Sequence, residues 1–110
     1  MLVKVFGSAV YGVEAITITI EVDIVGGGQT GYFIVGLPDN AVKESTERVL
    51  SAIKNTGFER PRNKVVVNMA PADIRKAGSA YDLPIAMGML AASGQVPAAD
   101  LDKYIIMGEL

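Results

Sequence analysis

Five basic residues could bind a charged partner. They lie in two segments and are Arg60, Arg62, Lys64, Arg75 and Lys76. Arginine and lysine bind phosphate groups through charge and hydrogen bonds, and such contacts do not depend on base sequence. If the two segments lie at neighbouring edges of a sheet, the five residues would form one surface for a polyanion. The alternative is an ordinary solvated surface.

A Ser/Lys pair is the second candidate. Lys76 and Ser79 share the segment 70–84, and in Ser/Lys hydrolases a desolvated lysine takes the proton from the serine hydroxyl. Ser79 could equally cap the helix that follows. Asp82 would then lie in the first turn of that helix, where the dipole favours a carboxylate. We expect the capping role and assign no catalytic residue.

The composition excludes several other kinds of site. The 110 residues include no Cys and no His, which excludes disulfides, thiol redox chemistry, His-ligated zinc and His-based acid/base catalysis. The net charge is -2, so nucleic-acid binding would need a local basic patch. The glycine-rich segment 26–31 lacks a Gly-Lys-Ser/Thr ending and precedes a strand, so it does not predict a nucleotide site.

The clearest structural pattern is an alternation of apolar and polar residues from Ile16 to Ile24. It predicts a strand with one buried face, and therefore an antiparallel sheet. Other strands are predicted at 2–10, 32–35, 65–67 and 104–107. We expect the segment 26–31 to form a hairpin that pairs the second and third strands. We also expect the valines at 65–67 to be buried on both faces of the sheet.

Two main helices are predicted. The first begins near Asp39, because Pro38 disfavours helix at the residue before it, and ends at Gly57. The second, 81–93, is apolar on nearly every side and should be buried. The order of elements predicts one α+β domain, 1–110, with a mixed sheet and two main helices. The chain stops directly after a strand, so we expect a fragment truncated at its C-terminus.

No apolar run approaches the roughly 20 residues of a membrane span. The first residues also lack the features of a signal peptide. We therefore expect a cytoplasmic location and no membrane partner.

Several motifs resemble the N-terminal domain of the ComM/YifB family of magnesium-chelatase-related AAA+ ATPases. The matching segments are Val35-Gly36-Leu37-Pro38-Asp39, Ala41-Val42-Lys43-Glu44-Ser45, Asn55-Thr56-Gly57-Phe58, Asn68-Met69-Ala70-Pro71-Ala72-Asp73 and Tyr81-Asp82-Leu83-Pro84-Ile85-Ala86. The resemblance covers nearly the whole chain. It implies a ribosomal-protein/Lon-protease-like fold, followed in the parent protein by an ATP- and Mg-dependent motor that assembles into rings. It also implies DNA as a partner, in branch migration during natural transformation.

Comparison with Lon bears on the Ser/Lys pair. When the Lon motif Lys-Asp-Gly-Pro-Ser-Ala-Gly is laid on 76–82, the nucleophile position falls on Ala80, which has no hydroxyl. Ser79 is one residue out of register. The resemblance therefore implies a noncatalytic domain that contacts DNA or neighbouring subunits. The alternatives are a Lon-like Ser/Lys hydrolase and a pure oligomerisation module.

Overall fold

The computed structural model describes residues 1–110. The strands are β1 (Leu2–Tyr11), β2 (Glu14–Val25), β3 (Gly31–Val35) and β4 (Lys64–Ala70). The helices are α1 (Asn40–Lys43), α2 (Ser45–Asn55) and α3 (Asp82–Ala92), followed by a 3₁₀ turn at Leu101–Lys103. This confirms the α+β class, the mixed sheet and the two main helices.

The four strands form one sheet in the order β1-β2-β4-β3. β1 and β4 flank β2 in antiparallel pairing, whereas β3 runs parallel to β4. The predicted hairpin at 26–31 is therefore wrong, because β4 lies between the two strands that this segment joins. After β3 the chain passes through α1 and α2 and returns as β4, which runs parallel to β3. The apolar β4 therefore lies inside the sheet, between β2 and β3.

The alternation in β2 sets the faces of the sheet. Ile18, Ile20 and Val22 are completely buried, and Ile20 and Val22 are paired with Met69 and Val67 of β4 on the same face. The other face carries no helix. Val66 is therefore only half-buried and the neighbouring Asn68 is exposed, so the prediction that 65–67 is buried on both faces is wrong.

Helix α3 packs on β1 and β2 and is buried along almost its whole length, as predicted. The helix and the sheet approach each other closely at Gly88. A Cβ atom there would lie 2.5 Å from Cγ2 of Val22 and 3.5 Å from Cγ2 of Val5. A side chain larger than hydrogen at this position would therefore separate the two layers.

The first predicted helix is divided into two. Asp39 caps α1 by accepting a hydrogen bond from the Val42 N–H at 2.9 Å, which confirms the predicted start. Glu44 separates α1 from α2. After α2, Gly57 adopts a φ of 88°, a conformation that glycine tolerates without the strain other residues would incur.

The C-terminal segment lies beside β1. Ile105 forms a single parallel bridge with Phe6, and the Ile106 N–H donates to the Phe6 carbonyl at 2.8 Å. This contact is too short to count as the strand predicted at 104–107. No helix in the structure has the length and apolar composition that crossing a membrane requires.

Candidate functional site

The candidate basic residues lie at opposite ends of β4. Arg60 and Arg62 precede the strand, Lys64 is its first residue, and Arg75 follows its far end. Seven residues of strand, at about 3.3 Å each, separate the two ends by roughly 20 Å. The condition under which the two segments would form one surface is therefore not met.

Arg60 and Arg62 are exposed on either side of the buried Pro61. The Tyr32 hydroxyl donates to the Pro61 carbonyl at 2.5 Å. The Gln95 side chain accepts from the Glu59 N–H at 2.8 Å and donates to the Glu59 carbonyl at 2.6 Å. These contacts hold the backbone of the segment in place and leave the two guanidinium groups at the surface.

Shallow depressions flank this arginine segment. One is lined by Met1, Ile24, Ser93 and Gln95, and the other by Thr30, Gly31 and Tyr32. Neither arginine has a carboxylate within 4.0 Å. The arrangement therefore presents two unpaired cations beside concave polar surface, which suits an anionic group.

Lys64 stands next to an exposed aromatic ring. Its Nζ lies 5.3 Å from the centroid of Phe33 on β3, a distance at which a cation is attracted to the face of a ring. Lys64 also lacks a carboxylate partner within 4.0 Å. Arg75, in contrast, lies beside Lys43 in a depression that Leu37, Pro38, Asp39 and Asn40 complete.

Lys76 is a structural residue and must be removed from the candidate surface. Its side chain is fully buried, and its ammonium group donates to the carbonyl of Gly36 at 2.7 Å and to that of Pro71. Burial lowers the pKa of Lys76. Its backbone N–H also donates to the Leu37 carbonyl at 3.0 Å, so this one residue joins two loops.

The Ser/Lys pair is not assembled. Both observed acceptors of the Lys76 ammonium are backbone carbonyl groups, and no hydrogen bond joins it to Ser79. The predicted capping role of the Ser79 side chain is also wrong, because Tyr81 is the N-cap of α3 and no side chain caps that helix. Ser79 instead accepts from the Asp82 N–H through its backbone carbonyl at 3.2 Å.

Asp82 lies in the first turn of α3, as predicted, and its partner is a residue that the sequence analysis did not select. Arg48 of α2 donates to both carboxylate oxygens, through Nε at 2.7 Å and Nη2 at 3.0 Å. This hydrogen bond raises the pKa of Arg48. The Leu110 N–H also donates to Asp82 at 3.2 Å. The lone carboxylate in an otherwise apolar helix is the sequence signal for this pair, because a buried carboxylate needs a cation partner.

Neither a cluster of acidic metal ligands nor a phosphate-binding loop is found in this chain. The structure contains no group of three or more acidic side chains that could hold a metal ion. The sequence also has no Gly-x-x-x-x-Gly-Lys-Ser/Thr loop to surround phosphates.

Comparison with known proteins shows similarity over almost the whole chain. Residues 20–110 match the family model described as subunit ChlI of Mg-chelatase. The chain is 52% identical over 102 residues, 93% of its length, to the uncharacterized protein YifB of Escherichia coli. It is 45% identical over 109 residues, 99% of its length, to the competence protein ComM of Haemophilus influenzae. It is also 37% identical over 107 residues to an uncharacterized protein of Mycobacterium tuberculosis. The aligned part is 20% or 21% of each relative, so the chain spans about a fifth of their length.

Proposed function

This chain belongs to the ComM/YifB family of magnesium-chelatase-related proteins, and we propose that it is a noncatalytic N-terminal domain that contacts DNA in an ATP-driven assembly. The observation that carries the proposal is the pair of exposed, unpaired arginines, Arg60 and Arg62, on an anchored segment. One relative is named a competence protein, and for this reason we choose DNA as the polyanion.

The geometry of the arginine segment supports a phosphate contact. Pro61 and the Gln95 contacts order the backbone before any ligand binds, so less conformational entropy is lost on binding. Each guanidinium is planar and can donate two parallel hydrogen bonds to a phosphate. Lys64 adds a third cation at the start of β4. The contact would be independent of base sequence.

The activity of the parent protein is a further part of the proposal. The family resemblance implies an AAA+ motor that follows this domain, binds ATP and Mg, and closes into a ring. ATP hydrolysis would then belong to that motor, and this domain would hold DNA or a neighbouring subunit during branch migration. The chain spans about a fifth of the length of these relatives, and we assign binding, but no chemistry, to its own residues.

The DNA proposal is tested by the salt dependence of binding to single-stranded oligothymidylate, measured by fluorescence anisotropy. Arg60→Ala together with Arg62→Ala should weaken binding and lower the slope of log K against log salt by about 1.4, since each phosphate contact on a single strand contributes about 0.7. The control, Lys4→Ala with Lys103→Ala, removes the same charge from exposed positions elsewhere. Equal slopes for the two variants would refute the proposal.

A Ser/Lys hydrolase is the competing function, and the carbonyl-bound Lys76 argues against it. A serine-directed acylating probe should leave the chain unlabelled. Labelling that disappears in Ser79→Ala would contradict the noncatalytic assignment. Self-association of the chain without affinity for oligothymidylate would favour a pure oligomerisation module.

A further inference from the structure

Strand β3 forms an edge of the sheet and has β4 as its only neighbour. Its sequence, Gly-Tyr-Phe-Ile-Val, contains no proline and no charged residue. Natural edge strands are usually protected by such residues, by bulges or by a covering element, because their free N–H and C=O groups can pair with another chain. The β3 edge lacks a proline or a charged residue of its own.

The outer side of this edge is apolar. Phe33 and Val35 are 49% and 47% exposed, although both are in a strand, and Leu37 immediately after β3 is 53% exposed. Ile34, between Phe33 and Val35, lies on the core face of the sheet, where it is paired in register with Val67 of β4. A partner strand could therefore bury apolar side chains at alternate positions while it pairs with the backbone.

Both ends of the edge are positively charged. Lys64 lies at the β3 start, where it is paired in register with Gly31, and Lys43 and Arg75 lie beside Leu37. None of the three has a carboxylate within 4.0 Å. The nearby Asp39 accepts from the N–H groups of Val42 and Gly78 at 2.9 and 3.2 Å. These hydrogen bonds and the charge of Arg75 lower the pKa of Asp39.

We propose that the β3 edge is a docking site for an extended segment of another polypeptide, apolar at alternate positions and acidic at its ends. Main-chain hydrogen bonds to β3 would provide affinity. Phe33, Val35 and Leu37 would bury the apolar side chains, and the flanking cations would receive the carboxylates. Lys64 and the start of β3 adjoin the Arg60 and Arg62 surface, but the docking proposal is carried by the β3 edge and does not depend on the DNA proposal.

The other occupants fit less well. In an antiparallel pair of two β3 strands, Lys64 of one copy would approach the Lys43 and Arg75 end of the other, so like charges would meet at both ends. A single-stranded nucleic acid needs aromatic faces for successive bases, and among these three exposed residues only Phe33 has a ring.

Fluorescein-labelled peptides test the proposal. The probe alternates Val and Thr between paired Glu residues, and one comparison peptide carries paired Lys residues instead. A second comparison peptide is N-methylated at alternate amides, so it keeps the side chains but loses main-chain donors. Anisotropy titrations of the 110-residue chain should give the Glu-flanked peptide at least about tenfold lower Kd than either comparison peptide, the effect expected of a well-placed contact.

Variants locate the contact. Phe33→Glu should weaken binding of the Glu-flanked peptide about tenfold or more, whereas the control Val13→Glu adds the same charge at a fully exposed turn residue and should not. Arg75→Glu should weaken it relative to Lys103→Glu, which reverses a distant exposed cation. Circular dichroism of each variant confirms that the fold is retained.

Four results would overturn the proposal. The N-methylated peptide could bind as tightly as the parent peptide, which would exclude strand addition. Phe33→Glu and Val13→Glu could have equal effects. Finally, sedimentation could show dimers that Phe33→Glu abolishes, or oligothymidylate could displace the peptide from Phe33, and either result would assign the edge to another occupant.

Discussion

Gly88→Ala tests how closely α3 packs on the sheet. Alanine is favoured over glycine in a helix by about 1 kcal/mol, so the change would stabilise the protein if space allowed. The new methyl would lie 2.5 Å from Cγ2 and 3.2 Å from Cβ of Val22. Val22 is β-branched and fixed in a central strand, so the helix or the sheet has to move. Overpacking costs about 1–3 kcal/mol, and this contact belongs at the upper end. We expect a net loss of about 2 kcal/mol after the helix-propensity gain.

A double-mutant cycle measures the clash directly. Val22→Ala alone should cost about 2 kcal/mol for the two methyl groups that it removes. In the double variant the methyl group added at position 88 occupies the vacated volume, so the clash is relieved while the helix-propensity gain of about 1 kcal/mol remains. The total should therefore be about 1 kcal/mol rather than the additive value of about 4 kcal/mol. Urea unfolding followed by circular dichroism gives all four free energies, and a difference of this size is a large part of a typical domain's stability.

Gly7→Ala is the matched control. Gly7 is also buried, but a Cβ there would meet Sδ of Met107 at 3.0 Å and Cδ1 of Ile20 at 3.4 Å. These are the ends of flexible side chains, so Gly7→Ala should change the free energy of unfolding by less than about 1 kcal/mol. The packing argument is wrong if Gly88→Ala is as stable as the unchanged chain, or if its effect and that of Val22→Ala simply add.

Four other predictions follow from buried or strained groups. Burial lowers the pKa of Lys76 in the folded state, so the unfolded chain binds more protons between that lowered pKa and the ordinary value of about 10.4. The free energy of unfolding should therefore rise with pH in that window, and urea titrations should show a smaller rise for Lys76→Met. Asp82→Asn and Arg48→Met should each destabilise the chain, because each removes one charge of the bidentate pair and leaves the other without its partner. The double variant Arg48→Met/Asp82→Leu removes both charges, so its thermal unfolding temperature should be higher than that of Asp82→Asn. Leu37 has a φ of 57°, a conformation that Asn adopts more readily, so Leu37→Asn should raise the free energy of unfolding, measured by urea titration, by about 0.5–1 kcal/mol. Gly36→Ala should lower it by more than Gly88→Ala does, because the new Cβ would lie 2.0 Å from the Met69 carbonyl oxygen.

The structure separates two surfaces that the sequence analysis combined. Arg60 and Arg62 belong with Lys64 at one end of β4, and Arg75 belongs with Lys43 at the other. The DNA proposal and the peptide-docking proposal can therefore be tested with different variants.

Local patterns determined much of this protein. The alternation at 16–24 gave the correct buried face of β2, because side chains on a strand point alternately to its two sides. Pro38 and Asp39 gave the correct start of the first helix, since both act through the backbone of their immediate neighbours. The motifs gave the family, which the comparisons confirm.

Tertiary structure alone decided which strands are neighbours and which charges are buried. Nothing local to 26–31 indicates that β4, more than thirty residues further along, inserts between β2 and β3. Nothing local indicates that Lys76 is buried either, because the residues around it in the sequence are the same as those around the exposed Arg75 beside it. Its burial depends on the carbonyl groups of Gly36 and Pro71, and Arg48 meets Asp82 only because α2 and α3 pack together. Strand order and charge burial are set by contacts between distant segments, and such contacts exist only once the chain has folded.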